Sequence, residues 1–149
     1  MDVTLNIRRF DPEADQPAAF WQEFPVAIED NATVLDALIK IREEVDGTLS
    51  LRCSCRSSIC GSCAMRINGH AALACKTQAS AVMKADNVIT VEPAGVMPVI
   101  KDLVVDFDLF WDKIRAVEPY LQPQGPEPET EYIASNEAML HLSSVTSCI

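Results

Sequence analysis

The sequence predicts an α+β fold, and three observations predict it. Two short N-terminal segments alternate apolar with polar residues, a capped amphipathic stretch follows, and an Asn-Gly pair joins two further alternating segments.

Val3, Leu5 and Ile7 alternate with Thr4, Asn6 and Arg8, the period of a half-buried strand. Phe24, Val26 and Ile28 repeat the alternation after a polar stretch over residues 11–16, so the two segments predict a hairpin. Pro25 lacks the N–H that a central strand needs, which assigns the second segment to a sheet edge or a bulge. Thr33, Val34, Leu35 and Asp36 form a capping box that opens a helix. Val34, Leu35, Leu38, Ile41 and Val45 then share one face, and Gly47 suits the residue just past the helix end.

Met65 and Ile67 lead into Asn68-Gly69, a strong two-residue hairpin signal, with Leu73 on the returning strand. Residues 88–91 are a β-branched run closed by Pro93. From about Pro98, residues Leu103, Phe107, Phe110, Trp111, Ile114 and Val117 carry helical spacing, and the aromatic stripe reads as packing. Residues 118–131 are rich in Pro and Glu and read as a linker, after which residues 136–142 begin a second helical segment.

A chain of 149 residues with 48% apolar content can bury one ordinary core. The net charge of −10 argues against a nucleic-acid partner. The N-terminus shows no basic start followed by an apolar run, so no export signal is read. The densest apolar stretch, residues 100–110, is interrupted by Lys101, Asp102, Asp106 and Asp108, which excludes a membrane span there. Six cysteines in such a chain point to metal binding before disulfides.

Four of them, Cys55, Cys60, Cys63 and Cys75, are spaced C-x4-C-x2-C-x11-C, the plant-type 2Fe-2S spacing. Three thiolates on one short loop converge on an inorganic core if the backbone wraps it, and the fourth comes from a separate element. Gly61 permits backbone angles that a β-carbon disfavours. Ser54, Ser57, Ser58 and Ser62 bring hydroxyls and unencumbered amides that can donate to sulfur. From Gly47 to Ala85 there is no Asp or Glu, while Arg52, Arg56, Arg66, Lys76 and Lys84 contribute +5. A basic stretch inside an acidic chain suits an anionic cofactor, although it also describes an ordinary basic face.

Two other metal sites are open to these residues. A structural zinc site also takes four thiolates, but commonly presents paired cysteines at both ends. A Rieske arrangement needs two histidines, and His70 and His141 are widely separated. Cys53 would give a first gap of six residues to Cys60 and reads as a structural thiol.

The run Ser54-Cys-Arg-Ser-Ser-Ile-Cys-Gly-Ser-Cys-Ala-Met-Arg-Ile-Asn-Gly69 with Leu73-Ala-Cys75 resembles the iron-sulfur subunit of succinate dehydrogenase and fumarate reductase. Pro98-Val-Ile-Lys-Asp-Leu-Val-Val-Asp106 is similar to another stretch of that subunit, and the similarity extends along essentially the whole chain. The resemblance implies a β-grasp 2Fe-2S ferredoxin-type domain over residues 1–105, with Cys55, Cys60, Cys63 and Cys75 as ligands. A connecting helix and linker would occupy 106–134, and the truncated start of a helical domain 135–149. In the full-length family subunit that domain carries 4Fe-4S and 3Fe-4S clusters, and Cys148 matches the first 4Fe-4S ligand. The rest of that second motif is absent, which predicts a fragment.

The resemblance further implies an FAD-containing flavoprotein partner that oxidises succinate, membrane-anchor subunits, and quinone as electron acceptor. The expected setting is the cytoplasmic side of the inner membrane, peripheral, within an oxidoreductase of the tricarboxylic acid cycle and respiratory chain. No catalytic residue of its own is expected in this chain. The rival reading is a stand-alone 2Fe-2S ferredoxin, against which the helix, linker and Cys148 speak. Ser58 departs from the family, which often has glycine there.

Overall fold

The computed structural model describes residues 1–119, 125–126, 129–131 and 133–146. The chain divides after Lys113 into two compact units. The first holds a five-stranded mixed sheet, the second the helical residues beyond it.

Strand β1 (Asp2–Arg9) turns its odd-numbered residues inward, so Val3, Leu5 and Ile7 are buried. Strand β2 (Phe20–Ala27) pairs antiparallel with it, Thr4 opposite Pro25, and lies at the sheet edge as the proline requires. Helix α1 (Val34–Lys40) follows, capped as predicted: Thr33 Oγ1 accepts from Asp36 N at 3.2 Å and Thr33 N donates to Asp36 Oδ2 at 2.9 Å.

Strands β3 (Ala64–Ile67) and β4 (His70–Leu73) form the second hairpin. Asn68 (φ 49°) and Gly69 (φ 82°) are both left-handed, the pair of conformations a type I′ turn demands. After the short helix α2 (Ala79–Val82), strand β5 (Val88–Glu92) runs parallel to β1 and antiparallel to β3. The order is β2-β1-β5-β3-β4, and α1 shares one core with the sheet, giving the α+β, β-grasp ferredoxin-type architecture.

At seven residues, α1 is too short to persist alone. Leu35 and Leu38 are 1% and 0% exposed, and each contributes about 1.5–3 kcal/mol by leaving water. Packing, more than intrinsic propensity, holds the helix.

The structure differs from the sequence-based expectation in two places. The face predicted for α1 holds through Ile41 but fails at Val45, which is 57% exposed. A π-helical turn over Ile41–Val45 adds a residue to the last turn and rotates Val45 off the core. Gly47 does not take a left-handed cap; the extended Asp46 ends the helix, donating its N–H to Ile41 O at 2.8 Å.

The helix predicted from about Pro98 begins ten residues later. Strands β6 (Val99–Lys101) and β7 (Val104–Val105) form a small hairpin, and Leu103 between them enters the core. Helix α3 (Asp108–Val117) comes only after it. β-branched Val99, Ile100, Val104 and Val105 favour extended backbone, and buried Asp102 at φ 47° makes a helix impossible there. The aromatic stripe packs on itself: Phe110 meets Phe107 and Trp111 edge-on, at 6.0 and 5.2 Å between ring centres.

In the second unit, helix α4 (Asn136–Thr146) is opened by Ser135, whose Oγ accepts from Ala138 N at 3.2 Å.

Candidate metal centre

The cysteine loop lies between an anchored entry and an anchored exit. At its exit, Cys63 is 4% exposed and runs directly into β3. Ala74 N donates to Cys63 O at 3.1 Å, drawing the residues before Cys75 beside Cys63. The first amides of α1 complete this arrangement, since Leu35 N donates to Ala74 O at 3.1 Å and Val34 N to Thr77 O at 2.9 Å. Helix N-termini leave such donors unpaired, and here the turn that carries Cys75 receives them. Cys75 lies in that turn, two residues past the end of β4 at Leu73.

Between Cys55 and Cys63 the loop is mostly exposed and bent by three left-handed residues, Arg56 (φ 54°), Ser58 (φ 61°) and Gly61 (φ 71°). The bending turns successive amides inward: Ser57 N, Ile59 N and Cys60 N stand 3.3, 3.5 and 3.4 Å from Cys55 Sγ. Concave sets of N–H groups of this kind stabilise anions. Ser58 holds a left-handed angle without being glycine, and its Oγ lies 3.9 Å from Cys75 Sγ.

The four thiols are not equivalent. The Ser62 hydroxyl, 3.1 Å from Cys60 Sγ, is the largest influence holding the Cys60 pKa down to about 6, with Cys55 and the Ser62 amide assisting. Burial raises that of Cys63. For Cys75 burial acts upward too, but hydrogen bonds from Cys63 and Ser58 outweigh it and the net shift is downward. Cys60 N donates to Cys55 Sγ, and the Ala74 amide draws the turn before Cys75 beside Cys63, so the thiols fall into two pairs, Cys55 with Cys60 and Cys63 with Cys75.

Among the described residues no three His, Cys, Asp or Glu side chains converge as around a single ion. Two thiol pairs, amides aimed at sulfur and no acidic residue from 47 to 85 form a donor set that fits an anionic cluster with two metal atoms. Cys53 packs at the margin of the core. His70 and His141 belong to different units, and Cys148 lies outside the described residues.

Residues 4–112 match the family model described as "2Fe-2S iron-sulfur cluster binding domain". The chain belongs to that family. It is 38% identical, over 98% of its length, to succinate dehydrogenase (ubiquinone) iron-sulfur subunit 1, mitochondrial, of Oryza sativa subsp. japonica, covering 52% of that protein. It is 40% identical, over 97% of its length, to the succinate dehydrogenase iron-sulfur subunit of Paracoccus denitrificans, covering 55% of it. The chain thus spans about half the length of these curated relatives. Among solved structures, a chain of the Mycobacterium smegmatis Sdh1 complex in the apo form superposes with a TM-score of 0.86 at 29% identity, over 99% of this chain and 59% of that one.

Sequence reading missed the polar network beneath the loop's entry. Arg9, 5% exposed, donates through Nε to Asp102 Oδ1 at 2.8 Å, and through its other nitrogens to Gln22, Asp46 and Thr48, each at 2.9 Å. One signal for it was present: Arg9 continues the inward parity of Val3, Leu5 and Ile7. Arg52 adds a bond from Nη1 to Val105 O at 2.8 Å and lies 5.5 Å over the Phe107 ring.

Proposed function

We propose that Cys55, Cys60, Cys63 and Cys75 hold the 2Fe-2S cluster and that the chain is the cluster-bearing part of the iron-sulfur subunit of a succinate:quinone oxidoreductase. The convergence of three loop amides on Cys55 Sγ carries this reading, because those donors stabilise a thiolate and do little for a thiol. When bound, the cluster supplies one-electron transfer. The chain's own residues would hold it, screen its charge with Arg56, and donate hydrogen bonds to its ligands from the loop amides, Ser58 and Ser62. In the assembly the partners would be an FAD-containing flavoprotein and membrane-anchor subunits with quinone, at the cytoplasmic face of the inner membrane. No described helix is long and apolar enough to cross a membrane, which suits a peripheral place in that complex.

On the same reading residues 1–105 form the ferredoxin-like domain, 106–134 a connection, and 135–149 the start of a second domain in which Cys148 is the first 4Fe-4S ligand. Reconstitution of the 149-residue chain with ferrous iron and sulfide tests the ligand set. We expect a two-iron EPR signal on reduction, lost or strongly altered in Cys60→Ala and retained in Cys53→Ala. An unchanged signal in Cys60→Ala would refute the assignment.

A further inference from the structure

We propose that Asp102 is a positioning residue for the cysteine loop, fixing the segment that delivers Cys55 through Ser50 and Arg9. The inference rests on the ligand reading above and extends it to residues remote in sequence from the loop.

The two thiol pairs have different mounts. Cys63 and Cys75 sit against the sheet and the N-terminus of α1, where the core itself holds them. Cys55 and Cys60 lie on the exposed loop, and on its N-terminal side Cys55 is joined to the fixed frame through residues 48–53. That route is held on its apolar side by Leu49, buried in the core with Leu51 and Cys53 packed against it, and on its polar side from Arg9 and the β6–β7 hairpin. Asp102, 1% exposed, accepts from Ser50 N at 2.9 Å with one carboxylate oxygen. Its other oxygen accepts from Arg9 Nε at 2.8 Å and Phe10 N at 3.1 Å. Leu103 N donates to Ser50 O at 3.2 Å, and Arg9 Nη2 reaches Thr48 Oγ1 at 2.9 Å. Two residues on, Arg52 is tied to Val105 O.

The contacts at 48, 50 and 52 fall on alternate residues of the entry segment and all lead to Arg9 or the hairpin. Asp102 takes a left-handed conformation, with its own N–H on Phe10 O at 2.9 Å. A buried carboxylate with three donors is a stiff anchor, because rotation would strand charge and amides together. Asp102 touches no cysteine; its effect on the cluster passes through the backbone from Ser50 to Cys55.

The test uses the whole 149-residue chain, reconstituted with iron and sulfide, in four forms: wild type, Asp102→Asn, Arg52→Met and Val26→Ala. Val26 packs on β2, at the sheet edge remote from β3, and serves as a destabilised control. Arg52→Met cuts the last tie to the hairpin while leaving the Arg9–Asp102 pair in place, so it tests whether the hairpin's hold on the entry reaches the cluster even if Asp102→Asn folds poorly. The readouts are the width of the reduced-state EPR signal and the lifetime of the cluster against a chelator. We expect both Asp102→Asn and Arg52→Met to broaden the signal and to shorten the lifetime about threefold or more relative to Val26→Ala, less than the ~10-fold lower limit for direct outer-shell partners of ligands. Lifetimes and widths equal to those of Val26→Ala would overturn the positioning role while leaving the ligand assignment intact. Failure of the wild type to give a two-iron signal would overturn both.

Discussion

Arg9 Nε donates to Asp102 Oδ1 at 2.8 Å, joining residues 93 positions apart in a pair almost wholly removed from water. A buried ion pair adds little net stability over an apolar isostere, but breaking one half of it strands the other. Asp102→Ala should therefore cost about 3–5 kcal/mol in urea unfolding of the metal-free chain. The double variant Arg9→Met with Asp102→Leu should recover a substantial part of that loss. Losses that simply add across Arg9→Met, Asp102→Leu and their double variant would mean the two residues are not coupled.

Acid should weaken this corner of the fold. Asp46 accepts from Thr48 Oγ1 at 2.6 Å and from Arg9 Nη1 at 2.9 Å, and these bonds, Thr48's first, lower its pKa from 3.8 to about 2. A depressed carboxylate pKa stabilises the fold above its unfolded value, and the gain disappears as pH falls through the folded one. Wild type should lead Asp46→Asn by about 1 kcal/mol at pH 7, allowing for solvent screening of a partly exposed group. That lead should shrink between pH about 4 and about 2. A lead that stays constant with pH would show that the Asp46 charge is not involved.

The left-handed Ser58 offers a strain test. A non-glycine residue in this region costs about 1 kcal/mol, so Ser58→Gly should stabilise the metal-free chain by up to that amount. The same change removes the hydroxyl 3.9 Å from Cys75 Sγ, so the reconstituted chain should show a shifted midpoint potential. A fall in apo-chain melting temperature would contradict the strain assignment.

The π-turn makes a paired prediction. Ile41→Ala should cost about 2–5 kcal/mol because the side chain is wholly buried. Val45→Ala, four positions on, should stay within about 0.5 kcal/mol because Val45 faces water. Equal costs in chemical denaturation would place Val45 back on the core face.

Much of the fold was legible because it is written in short-range patterns. Alternation marked β1 and β2, Pro25 marked the edge, the Thr33–Asp36 box marked the start of α1, and Asn68-Gly69 marked a turn that only left-handed residues make. The cysteine spacing was legible for the same reason, since three of the four thiols share one loop. The start of α3 was misjudged because Leu103 has helical spacing with Phe107 and Phe110, yet its neighbour Asp102 is recruited by Arg9. Val45 was misplaced because a single inserted residue in the final turn leaves no mark on hydrophobic periodicity.

By itself, then, the sequence determined the strands, the capped helix, the hairpin turn and the spacing of Cys55, Cys60, Cys63 and Cys75, all set by residues within a few positions of one another. Only the tertiary structure decided how the loop is held: Cys63 and Cys75 against the core, and the entry to Cys55 between buried Leu49 and a carboxylate from the β6–β7 hairpin. That division has a physical origin. Local propensity acts over one or two turns, whereas a buried charge such as Asp102 is stable only when residues distant in sequence bring it donors.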